Sequence, residues 1–194
     1  MTTLSTASDA SPPSLLRQLV LAWVPFSLGM ALTILVSVIA DDVPHARAQY
    51  SIWLALALAA PALFFFARDF GRRELGPLWR LYWTFALAAY LFHLWYGYEI
   101  MFAGDWSAVV ASQGALTAYA NVVVTVLWIL DVVSAWVGAA GAVARILRIA
   151  AHAGVLVAGL LSTVLFFRDM TAVVVAVLLV LGAAGGVFER LRGR

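Results

Sequence analysis

Residues Leu19 to Ala40 read "LVLAWVPFSLGMALTILVSVIA", and no charged side chain interrupts them. An α-helix rises 1.5 Å per residue, so about 20 apolar residues cross the hydrocarbon core of a bilayer. This stretch is long enough and apolar enough to do so, and it decides the fold class. Five further stretches fit the same template. They are "YSIWLALALAAPALFFFA" from Tyr50 to Ala67, a segment from about Leu78 to Phe102, one near Ala115 to Val137, Arg145 to Phe167, and Met170 to Phe188. The expected fold is therefore all-α: a polytopic membrane protein, a helical bundle of six transmembrane helices.

Composition agrees. The chain is 64% hydrophobic and 11% charged, against about 25% charged in an ordinary soluble domain. Once six spans are counted, 194 residues leave no room for a separate soluble domain. The expected organisation is a polar, Pro-containing tail over 1–16, one transmembrane domain over 17–190, and a basic tail over 191–194. Cysteine is absent, which excludes disulfides, thiolate metal sites and thiol redox chemistry. All twelve basic residues are arginine. Codon bias in a GC-rich genome explains that, and it suits a bacterial protein of the cytoplasmic (inner) membrane. No basic stripe with interleaved aromatics lies outside the spans, so nucleic acid is not an expected partner.

Arginine placement orients the spans. With the N-terminus inside, Arg17, Arg68, Arg72, Arg73, Arg80, Arg145, Arg148, Arg190, Arg192 and Arg194 all fall on the cytoplasmic side, and only Arg47 and Arg168 fall outside. Positive-inside bias of this size predicts an N-in/C-in protein. Val38-Ile39-Ala40 also resembles a signal-peptidase site, but the apolar run before it exceeds the usual 7–15 residues of such signals. A retained anchor helix is the favoured reading. The longest outer connection, "AGDWSAVVASQG", has Asp105 to start a short helix and Gly114 to close it. No internal repeat is evident, which gives no support to an inverted-repeat transporter.

Ionisable residues inside a span cost about 2.5–3.5 kcal/mol on insertion scales, so each needs a partner or a hydrated space. The third span carries "YLFHLWYGYE" from Tyr90 to Glu99. At 100° per residue, Ala86, Ala89, Tyr90, His93 and Gly97 share one face. Ala86, Ala89 and Gly97 make it a packing face, and His93 on it is level with Asn121 to Thr125, where a hydrogen bond is expected. Glu99 is rotated away and reads as an interfacial carboxylate among belt aromatics. On the fourth span Thr117, Asn121, Thr125, Trp128 and Asp131 fall in one polar stripe. Such a stripe either lines a hydrated path or bonds to neighbouring helices. Asp131 and His152 are equidistant from the turn near Gly141, so they sit at one depth and an ion pair or hydrogen bond between them is expected, with Arg148 as a competing partner. Pro25 and Pro61 lie inside spans and should free backbone carbonyls. Gly182 and Gly186 on the sixth span allow close helix approach.

Three functions are compatible with these residues. The first is an accessory or scaffold subunit of a larger membrane complex, whose partners would be the bilayer and other membrane subunits or a second copy. The second is a small proton-coupled transporter or channel, with His93, Asp131 and His152 as relay groups and Asn121 and Thr125 along its path. The third is a haem b protein ligated by His93 and His152, though their depths differ. Hydrolase motifs are absent from the spans, so enzymatic activity is not expected.

Overall fold

The computed structural model describes residues 14–72, 75–165 and 170–193, without the side chains of 164 and 165. Most of the expected tail over 1–16, together with Arg73, Phe167, Arg168 and Arg194, lies outside the described residues. Seven α-helices and no strand occur among the described residues: α1 (Leu15–Ser37), α2 (Val43–Arg68), α3 (Pro77–Trp95), α4 (Trp106–Gln113), α5 (Ala115–Trp136), α6 (Ala142–Leu165) and α7 (Met170–Arg192). Five of them, α1, α2, α5, α6 and α7, are long and apolar enough to cross a membrane. The third expected span, α3, is not one of the five. It carries Arg80, His93 and five Trp or Tyr residues from Trp79 to Trp95, which lower its hydropathy.

Local chemistry sets the helix ends. Asp42 starts α2 by accepting a hydrogen bond from the His45 amide at 3.0 Å, with Pro44 in the first turn, where a missing N–H costs nothing. The helix therefore begins seven residues before the expected Tyr50. Helix α7 runs on through Arg192, so the first two residues of the basic tail expected at 191–194 are helical. The expected third span is α-helical only to Trp95, and Tyr96–Met101 form one π-helical turn. The wider turn rotates the residues beyond it relative to the α3 face. Gly97 is consequently not a packing position: a Cβ there would meet nothing within 4 Å.

Helix α2 runs antiparallel to α1 and α3, and cross-helix contacts fix which ends meet. Pro25 has no N–H to offer the Leu21 carbonyl, and the Tyr82 hydroxyl of α3 donates to that carbonyl at 2.9 Å. At the opposite end Arg47 of α2 donates to Ser37 Oγ at 3.1 Å and to the Tyr96 hydroxyl at 2.7 Å. It thus joins α1, α2 and the π turn. The closest packing is between α2 and α7. A Cβ on Gly182 would overlap the Ala60 carbonyl oxygen, and one on Gly186 would overlap that of Phe64. Ala86 and Ala89 of α3 are likewise fully buried.

Candidate functional site

Helix α3 begins with Trp79 and Trp83 one turn apart on the face that continues to Ala86, Tyr90 and His93. That face meets the hairpin of α5 and α6 near its tight turn, where Asp131, Arg148 and His152 converge. Asp131 and His152 are 0% and 1% exposed, so each polar atom needs a partner inside the protein. The Trp83 indole N–H donates to Asp131 Oδ2 at 3.0 Å, and Arg148 Nε donates to Oδ1 at 3.3 Å. Each carboxylate oxygen therefore has one donor. The Arg148 guanidinium also lies 4.6 Å from the centroid of the Trp79 ring, a cation–π contact.

The expected Asp131–His152 pair takes a different form. The two residues are neighbours at one depth, with His152 Nδ1 3.6 Å from Asp131 Oδ2, which is too long for a hydrogen bond. Both ring nitrogens are engaged elsewhere. The Trp79 indole N–H donates to His152 Nε2 at 2.9 Å. Nε2 is therefore an acceptor, and Nδ1 carries the proton that it shares with the Arg148 carbonyl at 2.8 Å. The imidazole is the neutral Nδ1–H tautomer. It is sandwiched between Trp83 at 3.9 Å and Phe66 at 4.0 Å, ring centroid to centroid. Arg148, the competing partner, holds the carboxylate instead. Haem ligation by His93 and His152 does not fit this arrangement, because His152 has no free nitrogen to offer iron.

Above this cluster the ring column continues through Trp128, 4.6 Å from Trp83, to Tyr90 at 5.3 Å. Both are buried, and together they form the floor of the space above them. The Trp128 Nε1–H has no protein acceptor. The Tyr90 hydroxyl and Thr125 Oγ1 lie 3.1 Å apart. Beyond that contact a cavity of about 920 Å³ opens. It lies between α2, α3, the π turn, α4, α5 and α6, and its lining is mostly apolar.

Three of the expected polar residues line this cavity: His93, Asn121 and Thr125. His93 does not bond to the Asn121–Thr125 region, as the helix-register argument expected. Its Nδ1–H donates to the Ala48 carbonyl of α2 at 2.8 Å, which leaves Nε2 as the remaining polar atom of a ring that lines the space. Tyr90, one turn earlier, makes the Thr125 contact in its place. The Asn121 amide donates to Gln113 at 3.3 Å, and Thr125 donates to the Asn121 carbonyl. Among the described residues no arginine lines the cavity, and the one carboxylate that does is Glu99, exposed at the rim; the exposed His45 is also in the lining. Asp131 and His152 do not line it. The polar stripe on α5 is therefore divided by Trp128, with no continuous polar path from Thr125 to Asp131.

Trp79 and Trp83 are the site residues that sequence reasoning missed. As indoles near a helix end they resemble interfacial belt residues. Their shared face with Tyr90 and His93 is the signal that identifies them. No family model, curated protein or solved structure matches this chain.

Proposed function

We propose that this chain is a small multi-pass membrane protein that binds an uncharged amphiphile, a molecule with a hydrogen-bonding head and an apolar tail, in the cavity beside His93, Asn121 and Thr125. One observation carries the reading. The cavity combines apolar walls with a few convergent polar side chains, the usual makeup of a small-molecule site, and its 920 Å³ falls within the normal range for one. Charge narrows the ligand class. Among the described residues the lining holds Glu99 and no arginine, which disfavours a phosphate head, whereas hydroxyl, carbonyl or amide heads match the donors and acceptors present. Access from the bilayer is supported by Val122 and Val126, which line the cavity and are 44% and 49% exposed on α5.

In this proposal α3 is a sixth span whose polar face is covered by α5 and α6, both termini are cytoplasmic, and the membrane is a bacterial inner membrane. Support comes from the described arginines. Arg17, Arg68, Arg72, Arg80, Arg145, Arg148, Arg190 and Arg192 lie towards one end of the bundle, and Arg47 lies at the other, engaged by Ser37 and Tyr96. The cavity then belongs to the outer half of the bilayer.

The test is purification from native membranes in mild detergent, followed by extraction and mass spectrometry of what the protein retains. A neutral amphiphile at near-stoichiometric amount is expected. Ala158→Phe, which projects a ring into the cavity from α6, should reduce it at least tenfold while the protein still melts cooperatively. Equal retention by both proteins, or retention of no molecule by either, would refute the reading.

An accessory-subunit role is the second reading. Its support is α1, only 11% buried over its most apolar window, with an apolar surface for lipid or a partner. Gly182 and Gly186 lend it nothing, since both face α2 of the same chain. Co-purification of a stoichiometric second protein would favour this role, and a monomer carrying only a small molecule would count against it.

A further inference from the structure

At the arginine-bearing end most cations are already satisfied. Arg68 and Arg72 both reach Asp69, at 2.6 and 2.9 Å. Arg148 holds Asp131 at 3.3 Å. Arg192 lies 3.9 Å from Glu189, and Arg80 donates to the Ala135 carbonyl. Arg145 and Arg190 differ. Neither has a carboxylate within ion-pair distance among the described residues. Both guanidinium groups instead approach one ring, that of Phe70 just beyond the α2 cap, at 5.6 and 5.1 Å from its centroid. Two like charges gathered on a single residue from the start of α6 and the end of α7 repel each other unless an anion lies between or beside them.

The setting of the pair indicates the kind of anion. Arg145 is in the first turn of α6 and Arg190 in the last turn of α7, so both guanidiniums lie at the depth where spanning helices end and lipid headgroups begin. One turn further along each helix the surface is apolar and open: Ile149 next to Arg145 is 38% exposed, and Val187 next to Arg190 is 48% exposed. A soluble anion would use the guanidiniums alone. A phospholipid would use them for its phosphate and the aliphatic surface beneath for its acyl chains. Basic pockets between spanning helices on the cytoplasmic side take anionic headgroups in this way. We infer that Arg145, Arg190 and Phe70 form a binding site for the headgroup of an anionic phospholipid, separate from the amphiphile cavity and independent of what that cavity holds.

Native mass spectrometry of the full-length protein in mild detergent, titrated with phosphatidylglycerol or phosphatidylcholine, tests this. Phosphatidylglycerol should bind more tightly, and R145Q/R190Q should weaken it about thirtyfold, given the roughly 1 kcal/mol that each arginine contributes near an anionic surface. R17Q removes an exposed arginine elsewhere at the same end and should change little. R145K/R190K keeps the charge and should recover most of the affinity, which separates a lost site from a misfolded protein. Excess inorganic phosphate should not displace the lipid. Equal losses in R17Q and R145Q/R190Q would overturn the site, as would equal binding of the two lipids. Full displacement by phosphate would mean that a free anion is the ligand, and the lipid assignment would fall.

Discussion

At the arginine-bearing end, both carboxylate oxygens of Asp131 and both nitrogens of His152 have donors or acceptors within the protein. At the opposite end, His93, Asn121 and Thr125 line about 920 Å³ of space. The same helix, α5, serves both ends, and Trp128 marks the boundary on it. One polar stripe therefore does two jobs. Below Trp128 it ties the α5–α6 hairpin to α3; above Trp128 it presents polar groups to a cavity. Buried polar residues in a spanning helix are often read as one pathway, and here a single buried indole divides them.

The largest expected effect comes from breaking the closed end by sterics. Gly186→Leu would force a side chain into the Phe64 carbonyl and the Arg68 amide of α2. These are backbone atoms that cannot rotate aside, so α7 should fail to dock. Loss of cooperative thermal unfolding is the expected result, and a wild-type melting curve would show that α7 contributes little to the closed end. Next is Asp131→Ala, which leaves the partly buried Arg148 without its carboxylate. Breaking a buried pair on one side typically costs about 3–5 kcal/mol, read as a lower unfolding midpoint in bicelles. Ligand retention should persist in the fraction that stays folded, because Asp131 is not in the cavity wall.

A smaller effect compares two neighbouring indoles directly. Trp83→Phe keeps a ring against His152 but removes the donor to Asp131, at a cost of about 1.5–3 kcal/mol for a hydrogen bond to a charged group. Trp128→Phe removes a donor that has no protein acceptor. Its cost should be the smaller, set by lost ring area alone. If both cost the same, the donor to Asp131 is not what holds the closed end, and the contrast between the two ends weakens.

How much of this was legible depended on which interaction carried each feature. Hydropathy along the chain made the long apolar helices visible, because lipid solvation acts residue by residue. Helical periodicity put Thr125, Trp128 and Asp131 on one face, and counting from the turn brought Asp131 level with His152. Partner choice was not legible. It depends on which indole or carbonyl of a third helix reaches the site: Trp79 for His152, Trp83 for Asp131, Ala48 for His93. The cavity was hidden for a related reason, since its lining comes from α2, α3, the π turn, α4, α5 and α6 together rather than from any one residue type or element. Gly97 failed as a packing position because a π turn, which a 100° count cannot anticipate, intervenes.

The smallest expected effect concerns the cavity end, where Trp106 and Val109 of α4 form part of the wall. Asp105 caps α4, accepting from the Ser107 hydroxyl at 2.6 Å and its amide at 2.8 Å. These bonds, the hydroxyl first, hold the carboxyl below the usual aspartate range. The folded-state value is therefore lower than the unfolded one. The stability that the cap contributes is complete above the unfolded value, near pH 4, and is lost as pH falls through the folded value. Amide protection factors in α4, corrected for intrinsic exchange, should drop between pH 6 and pH 2.5, and Asp105→Ala should be low and flat across that range. Protection that falls equally in Asp105→Ala would assign the acid sensitivity to another group and leave the cap without a measurable part in ordering the cavity wall.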